Sequence, residues 1–312
     1  MASFAKKGSN VPAQPPYVLN AVAAKDALTA DLAERLFARV GNAAEAERID
    51  WLAEGRALEI PFSGDPKDVS TALSDASESL ADQRLDLNIV RREGRRKKLL
   101  VADMDSTIIG CECIDELADM AGIKTQVAEI TERAMRGELE FEDALRGRVA
   151  LLKGLPLEAL ARVYAERVRL NPGAKVLIRT MHAHGAHCLL VSGGFTYFTS
   201  RVAEEAGFDG QTGNELLDDG KVLTGEVGSP IFGQHGKLEA LSSNAKKLGL
   251  DLSETLAVGD GANDRSMIEA AGLGVAYHAK PVVAAAADAA INHADLTALL
   301  YLQGYRESDI RQ

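Results

Sequence analysis

Apolar positions recur at two different spacings along the 312 residues, and the change from one to the other divides the chain. Up to Val90, strands are expected at Tyr17–Val22, Glu47–Trp51, Ala57–Phe62 and Leu85–Val90, with helices over Ala30–Val40 and Lys67–Leu80. In the first helix Leu32, Leu36, Phe37 and Val40 share a face and Gly41 supplies the stop. The order β-α-β-β-α-β describes a small α+β, ferredoxin-like domain over residues 16–92, preceded by a loose tail over residues 1–15. No catalytic cluster stands out within it.

From Leu99 the pattern becomes that of an α/β protein. Leu99–Ala102 is a short, wholly apolar run of the kind buried in a parallel sheet. Further strands are expected at Cys188–Val191, Thr255–Val258 and Gly274–Tyr277 and near Ala290, each after a helical stretch. Residues 213–227 read as a hairpin turning at Gly220, and a helix starts near Lys237 and stops at Gly249. Between residues 113 and 170 no strand interrupts a series of helices, among them Lys124–Met135, Phe141–Leu152 and one opening at Pro156. This is a helical insertion placed as a cap over an α/β core made of residues 97–112 and 171–312.

Charge and cysteine content narrow the possibilities. A formal net charge of −11 disfavours nucleic acid or an anionic membrane as the main partner, so positive charge for an anionic ligand must be local. The basic run Arg91-Arg92-Glu93-Gly94-Arg95-Arg96-Lys97-Lys98 falls between two strands and reads as a solvated linker. No apolar stretch is long enough to span a bilayer and the first residues lack a signal-peptide core, so a cytoplasmic location is the default expectation. Cys111, Cys113 and Cys188 have no zinc-like spacing and read as packing residues. His182, His184 and His187 lack the i, i+4 spacing of a helical chelate and read as surface groups.

The chemistry concentrates where strands end. Leu99–Ala102 runs into Asp103-Met104-Asp105-Ser106-Thr107, and carboxylates two residues apart repel unless a proton or cation relieves them. An oxygen-preferring divalent ion, Mg2+, suits that need; an acidic helix-capping turn is the plainer alternative. Ser192-Gly193-Gly194 follows another strand, Lys237 opens a helix, and Gly259-Asp260-Gly261-Ala262-Asn263-Asp264 follows a third strand. Together they supply a nucleophile, metal ligands, a cation and donors for phosphoryl oxygens, which is what phosphoryl transfer requires. Neither nucleotide-binding glycine motif is present, and Ser192 lacks the elbow of a serine hydrolase.

At these four places the sequence resembles the haloacid-dehalogenase-type (HAD) phosphatases, over about residues 90–295, and among them those acting on O-phospho-L-serine in the last step of serine biosynthesis. The resemblance implies a HAD-like core with a Rossmann-like parallel sheet, a helical cap, and an N-terminal domain similar to ACT domains. It implies that Asp103 attacks phosphorus to form an aspartyl phosphate and that Asp105 acts as general acid and base. Mg2+ would be held by Asp103, Asp260 and the backbone carbonyl of Asp105, with Asp264 behind them. Ser192, the Gly193 amide, Lys237 and Asn263 would hold the phosphoryl oxygens.

In the cap, Glu112 would face an ammonium group and Arg148 a carboxylate, with Met135 and Phe141 lining the pocket. Arg146 is the neighbour most easily confused with Arg148. Without the likeness, Glu112 and Arg148 read as solvated helix charges. Other small phosphates such as phosphohomoserine or phosphothreonine, transfer to an alcohol, and a catalytically silent amino-acid sensor are the alternatives. A homodimer is compatible with the N-terminal domain.

Overall fold

The computed structural model of the chain describes residues 14–24, 27–75, 84–136 and 138–312, without the side chain of Met135. Most of the expected tail, and the end of the second expected helix beyond residue 75, lie outside the described residues. Among these residues no helix is long and apolar enough to cross a membrane.

The N-terminal region comprises β1 (Tyr17–Ala23), α1 (Ala30–Ala43), β2 (Glu45–Ala46), β3 (Asp50–Ala53), β4 (Ala57–Ser63), α2 (Pro66–Ser74) and β5 (Leu85–Arg91). Thr29 caps α1 by accepting from the Leu32 N–H, and Asp65 caps α2 while Pro66 occupies its first turn. The sheet is antiparallel, with β1 between β4 and β5 and with β2 and β3 both paired to β4. The single strand expected over Glu47–Trp51 is thus two short pieces along one edge of β4. One face of the sheet carries Leu19, Ala21, Leu58 and Ile60 and packs on Leu32, Leu36 and Val40 of α1.

The other face is docked on the rest of the protein. Asp86 accepts the backbone N–H groups of Asn292, His293 and Ala294, and Asn88 both donates to and accepts from the backbone of Ala290. Arg56 pairs with Asp295 at 2.8 Å, and Val18, Val22 and Val90 join the larger hydrophobic core.

The basic run is therefore only in part a solvated linker. Arg95 forms a two-pronged pair with buried Glu59, Lys97 is buried and donates to the carbonyls of Gly94 and Ser253, and Arg96 pairs with Asp309 and lies over the Tyr305 ring. Its charges are held because partners from both regions converge there, which spacing along the chain does not report. Truncation of one partner of a buried pair strands the other, so Arg95→Ala is expected to cost about 3 kcal/mol, measured by urea denaturation.

The second sheet is parallel. It contains β6 (Leu99–Asp103), β7 (His187–Phe195), β8 (Gly210–Asn214), β11 (Thr255–Gly259), β12 (Leu273–Tyr277) and β13 (Ala289–Ile291), in the order β13-β12-β11-β6-β7-β8. Every pair is parallel. The intervening antiparallel pair is β9 (Leu216–Asp218) with β10 (Leu223–Val227).

The helices α3 (Cys113–Met120), α4 (Lys124–Met135), α5 (Phe141–Ala150) and α6 (Leu157–Arg167) follow β6 as a block. After α7 (Ala174–Ala183) the chain builds outward through β7, α8 (Thr196–Ala206) and β8. It then returns along α9 (Gln234–Lys247) to the other side of β6, where α10 (Arg265–Ala270), α11 (Pro281–Ala284) and α12 (Ala298–Leu302) accompany the last strands. The direction of winding reverses between β6 and β11, and in an open α/β sheet the crevice beyond the carboxyl ends at such a point is where ligands bind.

Candidate active site

The last residue of β6 is Asp103, and the first residue after β11 is Asp260, so the reversal of winding brings two carboxylates side by side. Carboxylate oxygens of Asp103, Asp260 and Asp264 lie within 4.8 Å of one another. Lys237, the fourth residue of α9 and fully buried, donates to Oδ1 of Asp103 and, at 2.5 Å, to Oδ1 of Asp264. The other oxygen of Asp264 accepts the Gly261 N–H at 3.0 Å, so this residue braces the lysine and the loop. Gly259 permits that brace, because a Cβ there would stand 2.4 Å from Asp264 Cγ.

Beyond Asp103 the chain leaves the sheet in an irregular loop, with Asp105 extended and Ser106 at φ +57°. Asp105 turns under the cap: Oδ1 accepts the Cys113 N–H at 2.9 Å and Oδ2 accepts the Ser192 hydroxyl at 2.9 Å. Ser192 Oγ in turn accepts the Gly194 N–H at 2.8 Å. β7 runs through Ser192-Gly193-Gly194 where sequence periodicity ends the strand at Val191, and its pairing with β8 shifts register across the same stretch. Gly194 is required by close approach, since a Cβ would meet Asp105 Oδ2 at 2.8 Å.

These groups floor a cavity of about 640 Å³ whose lining includes Asp103, Asp105, Glu112, Arg148, Asn263 and Lys280. Glu112 stands just before α3 and accepts the Ser106 hydroxyl at 2.6 Å. Arg148, from α5, reaches the same cavity, while Arg146 on that helix turns to Ser229. Phe141 also lines it and lies against Gly193 and Gly233. Met135 belongs to α4, and its side chain is outside the described residues.

Burial raises the Asp103 carboxyl well above the usual range, and repulsion from Asp264 adds to it; Lys237 opposes the rise without cancelling it. Burial likewise raises Asp105, against the pull of the Cys113 N–H and the Ser192 hydroxyl. Burial and then Asp264 lift Asp260 to about 6, and burial and then Asp105 lift Glu112 to about 7. Lys237 is also shifted up, which for an amine favours the charged form: burial would lower it, but Asp103 and Asp264 outweigh burial. The site therefore carries more acid than its buried lysine neutralises, all of it hard oxygen, which is the donor set of an oxygen-preferring cation.

Two charged cavity residues were not singled out from sequence. Asp115 lies three positions after Glu112, on the same helix face, and Lys280 follows the carboxyl end of β12. The rule that marked Asp103 and Asp260, a polar group just beyond a parallel strand, covers Lys280 as well.

The haloacid dehalogenase-like hydrolase family matches residues 100–269. The chain is 47% identical over 221 residues to the phosphoserine phosphatase of Archaeoglobus fulgidus, which covers 70% of this chain and 64% of that protein. It is 42% identical over 290 residues to the phosphoserine phosphatase of Streptomyces coelicolor, covering 91% of this chain and 70% of the relative. In structure it is similar to a probable phosphoserine phosphatase from Vibrio cholerae in unliganded form, with a TM-score of 0.75 at 32% identity, covering 95% of this chain and 88% of that one. The paired aspartates after β6, the buried lysine of α9 and the acidic loop after β11 thus sit inside the matched segment, and the chain belongs to the haloacid dehalogenase-like hydrolases.

Proposed function

We propose that the chain is a Mg2+-dependent phosphoserine phosphatase, which hydrolyses O-phospho-L-serine to L-serine and phosphate. The observation that carries this reading is the polarity of one cavity, with carboxylates and Asn263 at its floor and one acidic and one basic side chain, Glu112 and Arg148, from the cap side. An amino-acid phosphate offers the matching groups: an ammonium for Glu112, a carboxylate for the planar fork of Arg148, and a phosphoryl group for the floor.

Asp103 supplies the nucleophilic oxygen and becomes an aspartyl phosphate, which divides hydrolysis into two easier displacements. Lys237, on Asp103 Oδ1, favours the ionised form of that carboxyl, keeps it in place and offers positive charge to the incoming phosphoryl group. Asp105 donates a proton to the departing serine oxygen and later accepts one from water; its raised carboxyl suits the first of these roles. Ser192, the Gly193 amide and Asn263 hold the equatorial oxygens. Asp103, Asp260 and the Asp105 carbonyl would hold Mg2+, which when bound polarises the phosphoryl group and offsets its negative charge.

Turnover of phosphoserine, phosphothreonine and phosphohomoserine by the purified protein tests the substrate. Phosphoserine is expected to be preferred, and Glu112→Gln to raise its KM by about ten- to a hundred-fold, the value of one charge-assisted hydrogen bond. Equal turnover of the three would overturn the substrate assignment, and release of a phosphorylated alcohol in place of phosphate would make the chain a phosphotransferase.

The acidity of the site predicts how stability follows pH. Asp260 and Glu112 bind a proton more tightly in the folded chain than in the unfolded one, so without a cation their contribution is full at low pH and is lost as pH rises through about 6 and about 7. Mg2+ is expected to flatten that loss, seen as a rise in Tm that is larger at pH above 7 than at acid pH.

A further inference from the structure

The opposite end of the same sheet gathers a second set of metal-binding side chains. His182 ends α7, His187 and Cys188 open β7, and Asp209 lies in the turn between α8 and β8. His182 Nε2 is 2.8 Å and His187 Nδ1 3.1 Å from the same oxygen of Asp209, which also accepts the Cys188 N–H at 2.7 Å. Ligand atoms of His182, Cys188 and Asp209 lie within 4.8 Å of one another, and the cysteine is fully buried beneath the other two. His184, the third histidine of the sequence cluster, belongs elsewhere: it contacts the Asp309 carbonyl and packs edge-on to Tyr305. The i, i+4 rule excludes a chelate on one helix, and it is silent here because the donors come from three elements.

We propose that His182, Cys188 and Asp209 form a site for one borderline divalent cation, of which Zn2+ is the type, with His187 bracing the ligand carboxylate from beside it. An imidazole, a thiolate and a carboxylate, with water in the fourth position, are a donor set that soft-to-borderline ions favour and Mg2+ does not. Binding releases the Cys188 thiol proton to solvent, and the His182 imidazole binds in the neutral form. The site lies at the amino ends of the strands, where Leu99 of β6 is level with His187, whereas Asp103 is level with Val191. Four residues at ~3.3 Å each put about 13 Å of sheet between the two centres. Its role is to staple the end of α7 and the turn before β8 to the start of β7, so that the edge of the sheet is held from three sides.

Co2+ is the probe, added to the full chain with Mg2+ in excess to occupy the catalytic carboxylates. One equivalent is expected to give the visible bands of a tetrahedral ion and a sulfur-to-cobalt charge-transfer band in the near ultraviolet, both abolished by Zn2+. His182→Ala and His187→Ala, which remove half-buried side chains, are expected to weaken binding by at least about ten-fold. Cys188→Ser should remove the charge-transfer band, and Asp103→Asn should leave it. Absence of the band, or a band that survives Cys188→Ser or His182→Ala, overturns the site. Failure here leaves the phosphatase reading untouched, because no residue is shared between the two centres.

Discussion

Asp103→Asn is expected to abolish phosphate release, by about 10⁴-fold or more, and to leave the melting temperature unchanged or raised. Loss of a nucleophile is felt on that scale because no neighbouring group can form the covalent intermediate in its place. Asp105 is turned toward Ser192 and the Cys113 amide, and Asp264 spends both oxygens on Lys237 and Gly261, so neither is a substitute. Stability behaves differently from activity. The charged form of Asp103 is penalised by burial and by Asp264, and an amide of the same shape removes that penalty while still accepting a hydrogen bond from Lys237. Rapid-quench trapping of labelled phosphate on the parent enzyme, and its absence from the variant, checks the chemistry; phosphate release by the variant at the parent rate would overturn the covalent mechanism.

Lys237→Met is expected to damage both activity and fold. The ammonium is fully buried between Asp103 and Asp264, so its removal leaves two carboxylates facing one another with no cation between them. Breaking one side of such a buried network costs about 3–5 kcal/mol, against a total stability of ordinarily 5–15. The sign with pH follows from the direction of the Asp103 shift. Its proton is held more tightly in the folded state, and more so without the lysine, so the variant should be most stable in acid and lose stability as pH rises. Denaturation of Lys237→Met and of Lys237→Met/Asp264→Asn across pH separates the effects. The double variant should regain much of the stability and none of the activity, since Asp103 is relieved of the Asp264 charge but the phosphoryl group still lacks its cation.

These two predictions rest on residues more than a hundred positions apart, and the sequence shows each of them only as a local oddity. Strand and helix positions are legible because burial imposes periodicity: Leu99–Ala102 is wholly apolar, and Thr255–Val258 apolar after its first residue, since parallel strands are covered on both faces. Edge strands such as β2 and β3, half-covered and short, leave a weaker pattern, which periodicity alone reads as one strand. The carboxylates after β6 and β11 are conspicuous because acid placed directly after a buried strand has no packing purpose.

What the sequence alone determined, then, is the order of elements, the cap inserted after the first parallel strand, and the polar groups at strand ends that carry the likeness to a phosphatase family. Only the tertiary structure decided that Arg95 and Lys97 of the basic run at 91–98 are held by partners in two regions, that β7 continues through Ser192, and that His182 and His187 meet on Asp209. The reason is physical. Periodicity records what each residue buries within its own element, whereas an ion pair or a chelate depends on which distant element supplies the opposite charge or the next ligand, and that is fixed only when the sheets and helices pack.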